Sequence, residues 1–429
     1  MSDPVAGAAG EPFDLVVIGG GVMGLFTAWH AVRAAETDGR RPRVAVLERG
    51  RVGDPATASF GRTRSYRRDY LDPHYARLAD EAIGLWGQFE RAAGVRALVR
   101  CGCMNIAATA VTPDLAQTYA AGVGAVLDDL GWSPARYRGE AVWRRFPYLR
   151  ADLADNDETG GLVDVRAVTA ALRSALEATA SLREGVEVLA VEPAAGETES
   201  GASGRGMAGS GAAGSEPILV RTDRGDLSAR SVVITAGHGS NDVLSLIPGN
   251  RLQVPISRDR PSEARYFAPS DPAPFTAPQM PVIAYLDTGI YLHPIVPGLI
   301  DRVKIGYYNP PDIPRGTTSI GGIADFVRQC LPGLSGAPSE PVDDVDSCDY
   351  DLVADDDFVL GAVPGAAGVY LGVGWRGTGY KFAPLIGRVL HDLARRRGTV
   401  YDIARFDPIR FLAPDGGSGR PQHQQGDAR

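Results

Sequence analysis

Lysine is almost missing from this chain. Lys and Arg together number 44, yet only Lys304 and Lys381 are lysine and the other 42 are arginine. Lysine is ordinarily among the commonest residues. A protein that uses arginine wherever a surface cation suffices has therefore kept these two where a lysine is needed. Cysteine is scarce as well, with four (Cys101, Cys103, Cys330, Cys348) in 429 residues, too few for a disulfide framework. No apolar run reaches the roughly 18 residues that span a bilayer. The opening MSDPVAGAAGEP has neither the basic nor the apolar region of an export signal. An excess of positive charge is missing too, and a net charge of −8 argues against nucleic acid as a partner. These absences predict a cytoplasmic protein with no membrane or nucleic-acid partner. No metal is expected in its site.

What is present is an ordinary globular composition, 44% apolar and 22% charged, in a chain long enough for two domains. Phe13 to Ile18 is a short apolar, β-rich run, followed by GGGVMG, a helical stretch LFTAWHAVRAA, and a second strand from Arg43 to Leu47 that ends at Glu48. This reads as a βαβ unit. Helical patterns recur at Ala76–Ala93, Val165–Ala178 and Leu385–Arg396, and strand patterns at Val186–Ala190, Ile218–Thr222, Ser231–Ile234 and Val369–Gly372. The Gly, Ser and Ala-rich stretch 194–217 reads as a flexible insertion at the tip of a hairpin, and the tail 415–429 as disordered.

Gly19, Gly21 and Gly24, with Val22 and Met23 between them, fit G-x-G-x-x-G between a strand and a helix. The glycines allow a tight turn and a close approach of a pyrophosphate to the helix N-terminus. Glu48, followed by Arg49, ends the next strand where an acid can bind a ribose hydroxyl. A nucleotide site follows, but these residues do not separate FAD from NAD.

Beyond Glu48 come GRTRSYR, VVITAGHGSNDVL, GIYLHP, RVKIGYY, DSCDYDLVADDDFVLGAVPG and GVGWRGTGYKFAPLIGRVL. With the dinucleotide loop, these seven motifs in this order resemble the monomeric sarcosine oxidase and N-methyltryptophan oxidase branch of the D-amino-acid-oxidase-like flavoproteins. The resemblance runs from Phe13 to about Phe411.

It implies FAD, held covalently through Cys348. Read alone, Cys348 is a small buried hydrophobe, the commonest fate of a free cysteine; the match to the family's attachment segment makes it the nucleophile that joins the flavin. Tyr350 matches an active-site tyrosine. Lys304 matches the lysine that promotes reaction with oxygen, where a compact cation stabilises superoxide in a dry site. Lys381 and Arg67 match the clamp on the substrate carboxylate, and Arg64 an arginine close to the flavin. Gly374, Trp375, Gly377 and Gly379 fall in a segment that would run beside the flavin ring. Ala236 and Gly237 match a segment near the pyrophosphate, and Val188 a backbone contact to adenine. Arg62 and Arg68 match nothing and read as surface charges.

The chain also departs from sarcosine oxidase. Tyr308 stands where that enzyme has a histidine, Leu292 where it has a pocket tyrosine, Thr378 where it has a second histidine, and Arg376 adds a cation. Two segments further resemble an antibiotic-pathway member of the family that oxidises a cyclic imino acid.

The expectation is therefore an α/β fold: a Rossmann-type FAD-binding domain (1–93, 157–245, 352–429) with an inserted, mostly antiparallel substrate domain (94–156, 246–351). The implied activity is an FAD-dependent oxidase of a secondary amine, amino acid or cyclic imino acid other than sarcosine, using O2 and releasing H2O2 as a monomer or small homo-oligomer. A flavin dehydrogenase that passes electrons to a carrier and a non-catalytic flavin-binding protein are the alternatives.

Overall fold

In the computed structural model, residues 11–193, 217–257, 263–307, 322–341 and 351–412 are described. The run LVVI forms β1 (Leu15–Ile18), buried along its whole length. It lies between two parallel neighbours, β2 (Val44–Glu48) and the strand Val232–Ile234. A continuous apolar strand suits that place, because a parallel sheet is covered on both faces. The full sheet has six strands, ordered by residue range as 359–362, 369–373, 232–234, β1, β2 and 181–184.

Helix α1 (Val22–Thr37) follows β1 directly and packs against the helix Ala383–Ala394. Gly387 makes that approach possible, since a Cβ there would lie 2.5 Å from the Phe26 Cβ and 2.8 Å from the Thr27 nitrogen. The strand β3 (Thr63–Tyr66) leads into helix α2 (Pro73–Ala93). Pro73 opens α2, and the Asp72 carboxylate caps it by accepting the His74 N–H at 2.8 Å. Gly94, in the left-handed region at φ 64°, ends it.

The second large sheet has eight strands, ordered 339–341, 263–267, 303–307, 290–293, 282–285, 103–107, 153–157 and 135–138. It is antiparallel apart from one parallel pairing, of 282–285 with 103–107. A smaller sheet joins the two regions: Gly161–Asp164 pairs with both β3 and Leu98–Arg100. The strands flanking the Gly-rich stretch, Val188–Glu192 and Ile218–Thr222, pair antiparallel as a hairpin requires. The first of them begins two residues later than its sequence pattern suggested. Residues 194–216 and 413–429, where a flexible insertion and a disordered tail are expected, lie outside the described residues. Among the described residues no helix is long and apolar enough to cross a membrane.

Candidate functional site

A cavity of about 600 Å³ opens at the C-terminal end of β1, where the strands of a parallel sheet hand over to loops and helix N-termini. Gly19, Gly21, Val22 and Met23 line it from the first turn, and Glu48 and Arg49 from the end of β2. Arg64, Ala236, Gly237, Trp375, Gly377 and Gly379 complete the set of sequence-predicted residues on its wall. Gly24, Gly374 and Lys381 lie beside the wall without lining it. Val188 sits in its strand against the apolar core and does not reach the cavity. Cys348, Tyr350 and Tyr308 lie outside the described residues.

The lining fits a dinucleotide. Gly19 has φ +112°, and a Cβ there would stand 2.5 Å from the Thr235 carbonyl oxygen. The N-terminus of α1 has no side-chain cap from Gly21, so its positive end faces the cavity. Ser59 supplies one partner there, its Oγ accepting the Val22 N–H at 2.9 Å. Glu48 is held by two backbone donors, Gly20 N–H at 2.8 Å and Gly50 N–H at 2.7 Å. Tyr380 lines the wall as well, with its hydroxyl buried and without a hydrogen-bond partner among the described residues. Arg64 braces the loop below, donating to the Phe60 carbonyl at 2.5 Å and the Thr63 carbonyl at 3.1 Å.

Asp351 also lines the cavity, and sequence reasoning missed it. Its carboxylate accepts the Gly374 N–H at 3.0 Å, and its carbonyl accepts the Arg376 N–H at 3.2 Å. It thereby ties down a loop in which Gly374, Arg376 and Gly377 all have positive φ. Burial raises the Asp351 carboxyl to about 7, against the opposing N–H bonds from Gly374 and Trp375. Its place in DSCDYD was the only available signal; burial does not show in a sequence.

Arg67 and Lys381 come together over one ring. The Arg67 guanidinium lies 4.7 Å and the Lys381 ammonium position 5.7 Å from the centre of Tyr70. Both side chains are buried. Arg67 donates to the Asp69 carboxylate at 3.0 Å, and Asp69 in turn accepts from Asn105. Burial opposes the Arg67 charge, but Asp69, with Tyr119, Tyr70 and Cys103, raises its pKa well above the usual guanidinium value. Burial, and then Arg67, push Lys381 well below the usual lysine value. Sequence reasoning did not identify Asp69 or Asn105, which carry no motif.

Lys304 is 1% exposed on the strand Val303–Tyr307. Val303 and Ile305 face the apolar core. Lys304 faces the other way, opposite His293 on one neighbouring strand and Tyr266 on the other. His293 Nδ1 and Thr63 Oγ1 are hydrogen-bonded at 2.8 Å, which ties this strand to β3 one residue before Arg64.

Two expectations are corrected. Leu292 is not on the Lys304 face: it pairs with Ile305 and is fully buried in the core. Tyr291 shares the Lys304 face instead, because a one-residue slip in a strand exchanges its faces. Arg68 is not a surface cation. Its side chain is 13% exposed, lies 2.7 Å from both Asp80 and Asp157, and sits over Trp132. Arg62 is half-buried against the Tyr266 ring.

The chain matches the family FAD dependent oxidoreductase (DAO) over residues 14–393. Human peroxisomal sarcosine oxidase is 26% identical over 424 residues, covering 93% of this chain and 96% of its own. The N-methyl-L-tryptophan oxidase of Yersinia pestis is 25% identical over 421 residues, covering 93% and 99%. Among solved structures, NikD, an unusual amino acid oxidase essential for nikkomycin biosynthesis, superimposes with a TM-score of 0.68 at 26% identity, covering 93% of this chain and 98% of NikD.

Proposed function

We propose, because this chain belongs to the DAO family of FAD-dependent oxidoreductases and is an FAD-dependent amine or amino-acid oxidase by that membership, that its substrate is a small amino acid or cyclic imino acid other than sarcosine. One observation carries this reading: Arg67 and Lys381 are both buried and both lie against the Tyr70 ring. Asp69 answers only the Arg67 charge, and a ligand carboxylate has the shape and charge to bind a guanidinium and to supply Lys381 with the acceptor it lacks.

FAD would be held by the α1 N-terminus and glycine loop, by Glu48 at its ribose, and by the Trp375–Tyr380 stretch. Once bound, it supplies an acceptor for the hydride of the substrate C–H bond and passes the electrons on to O2, giving H2O2. Arg67 and Lys381 orient the carboxylate and so aim that C–H bond. The substrate nitrogen must be unprotonated, since its lone pair assists the C–H cleavage. Lys304 offers a fixed, buried cation to the anion that O2 becomes on gaining an electron.

The covalent link through Cys348 belongs to this proposal. It rests on the match of the segment DSCDYDLVADDDFVLG, which holds Cys348, to the family's attachment segment. We further assign 1–93, 157–245 and 352–429 to the FAD domain and 94–156 and 246–351 to the substrate domain, in a cytoplasmic monomer or small homo-oligomer.

The test is anaerobic mixing of purified enzyme with N-methyl amino acids and cyclic imino acids, followed by air. Flavin bleaching and then H2O2 release support the proposal. A reduced flavin that persists in air but bleaches an acceptor dye would make the protein a dehydrogenase, and no reduction by any amine or amino acid would remove the activity. Acid precipitation with intact mass measurement of wild type and Cys348→Ala decides the linkage: an FAD-sized increment should remain on wild type alone.

A further inference from the structure

We propose that a carboxylate binds at Arg67 and Lys381 together with one proton, which Lys381 takes up, so that the clamp becomes a pair of cations only as its anion arrives. This rests on the substrate reading above.

The argument begins with donors. Lys381 Nζ donates to the Thr378 carbonyl at 3.1 Å and to the Thr378 hydroxyl at 2.5 Å. Those are its hydrogen bonds among the described residues. A neutral amine has two N–H groups, both used here, whereas an ammonium has three. A charged Lys381 would bury a third donor without an acceptor.

Counter-charge points the same way. The charged and titratable groups that act most strongly on Lys381 among the described residues are Arg67, Asp69, Cys103 and Arg376, with the Tyr70 ring against it. Two of these are guanidinium groups. Cys103 is a fully buried thiol, raised by burial and by Asp69 well above its usual value, and adds no charge. Asp69 is the one carboxylate, and Arg67 occupies it at 3.0 Å. No ion pair forms between Lys381 and any described carboxylate. The side chain is buried. Burial and Arg67 lower its pKa accordingly.

A ligand carboxylate changes both terms at once. It supplies the third acceptor and the counter-charge, so the affinity of Nζ for a proton rises. By reciprocity, the affinity for the anion then depends on pH. Between the pKa of the empty and the filled pocket, anion affinity falls about tenfold per pH unit as pH rises. Below the lower pKa it is flat, because Lys381 is already charged.

For an amino acid this disposes of a proton that has to move. A zwitterion arrives with an ammonium, and its nitrogen needs its lone pair before the C–H bond breaks. One substrate N–H bond is lost, its electron pair stays on nitrogen, and an N–H bond forms on Nζ. A carboxylate without an amine has no such proton to give and must draw it from the buffer.

The test is calorimetric titration of the FAD-loaded enzyme with tetrahydrofuran-2-carboxylate, which has no oxidisable amine, at about pH 8 in phosphate and in Tris. The dependence of apparent enthalpy on the buffer's ionisation enthalpy gives the protons taken up. Close to one is expected for wild type, and close to none for Lys381→Arg, whose charge is permanent, or Lys381→Met. Binding by wild type without proton exchange overturns the inference, as does unchanged uptake in a variant. If neither variant binds, wild-type affinity over roughly pH 6 to 9 decides, and a flat profile overturns it. No binding by wild type, joined to no flavin reduction by amino acids, removes the carboxylate clamp itself and is thereby told apart.

Discussion

Arg67 and Asp69 form a closed ion pair inside the protein: Nη1 and Oδ1 are 3.0 Å apart, with side chains 9% and 1% exposed. Asp69 is further bound by Asn105 and stands 3.8 Å from the Cys103 thiol. The Arg67 guanidinium is thus held in place with its charge answered by the protein itself.

Removing that answer has a cost. Asp69→Asn keeps the shape and leaves a buried cation uncompensated, which typically costs about 3 kcal/mol or more. The variant should unfold at a lower temperature than wild type, and a saturating carboxylate ligand should restore part of the loss. Identical melting without ligand would show that Arg67 does not depend on Asp69.

Asp351 should give the stability a pH dependence of unusual sign. Its folded value, about 7, lies above the ordinary 3.8 because the group is buried. The native state therefore keeps a proton that the unfolded chain has already lost. This contribution is complete below the ordinary value and is lost as pH rises through about 7. Asp351→Asn does not titrate, so wild type should lose stability relative to it between about pH 5 and pH 8. Urea midpoints at both pH values measure this, and a constant difference would place the titration elsewhere.

Gly24→Ala should abolish flavin binding. The new methyl would lie 2.0 Å from the Gly19 carbonyl oxygen and 2.7 Å from the Thr235 hydroxyl, forcing the nucleotide loop apart. Gly84→Ala in α2, where nothing lies within 4 Å, is the control. The flavin-to-protein ratio should fall to near zero in the first and stay at the wild-type value in the second.

Lys304→Met should slow reoxidation of the reduced enzyme by O2 by roughly 10²–10³-fold, the usual cost of losing one fixed electrostatic partner. Anaerobic reduction by substrate should change far less. Stopped-flow mixing separates the two steps, and unaltered reoxidation would assign oxygen activation to another group.

What the sequence determined by itself was local or compositional. From β1 through Glu48 the chain is one uninterrupted unit, so apolar periodicity and glycine spacing described it fully. Two lysines among 44 cations marked Lys304 and Lys381, and both prove to be buried. Tertiary structure decided the relations between distant segments. It brought Lys381 to Arg67, set Ser59 at the α1 N-terminus, buried Asp351 against the Gly374 loop, and gave Arg68 two carboxylate partners. It also chose Tyr291 over Leu292 for the Lys304 face. The physical reason is the same in each case. Hydrophobic pattern and turn chemistry act over a few residues, whereas burial, counter-charge and strand register exist only once separate strands and helices have packed.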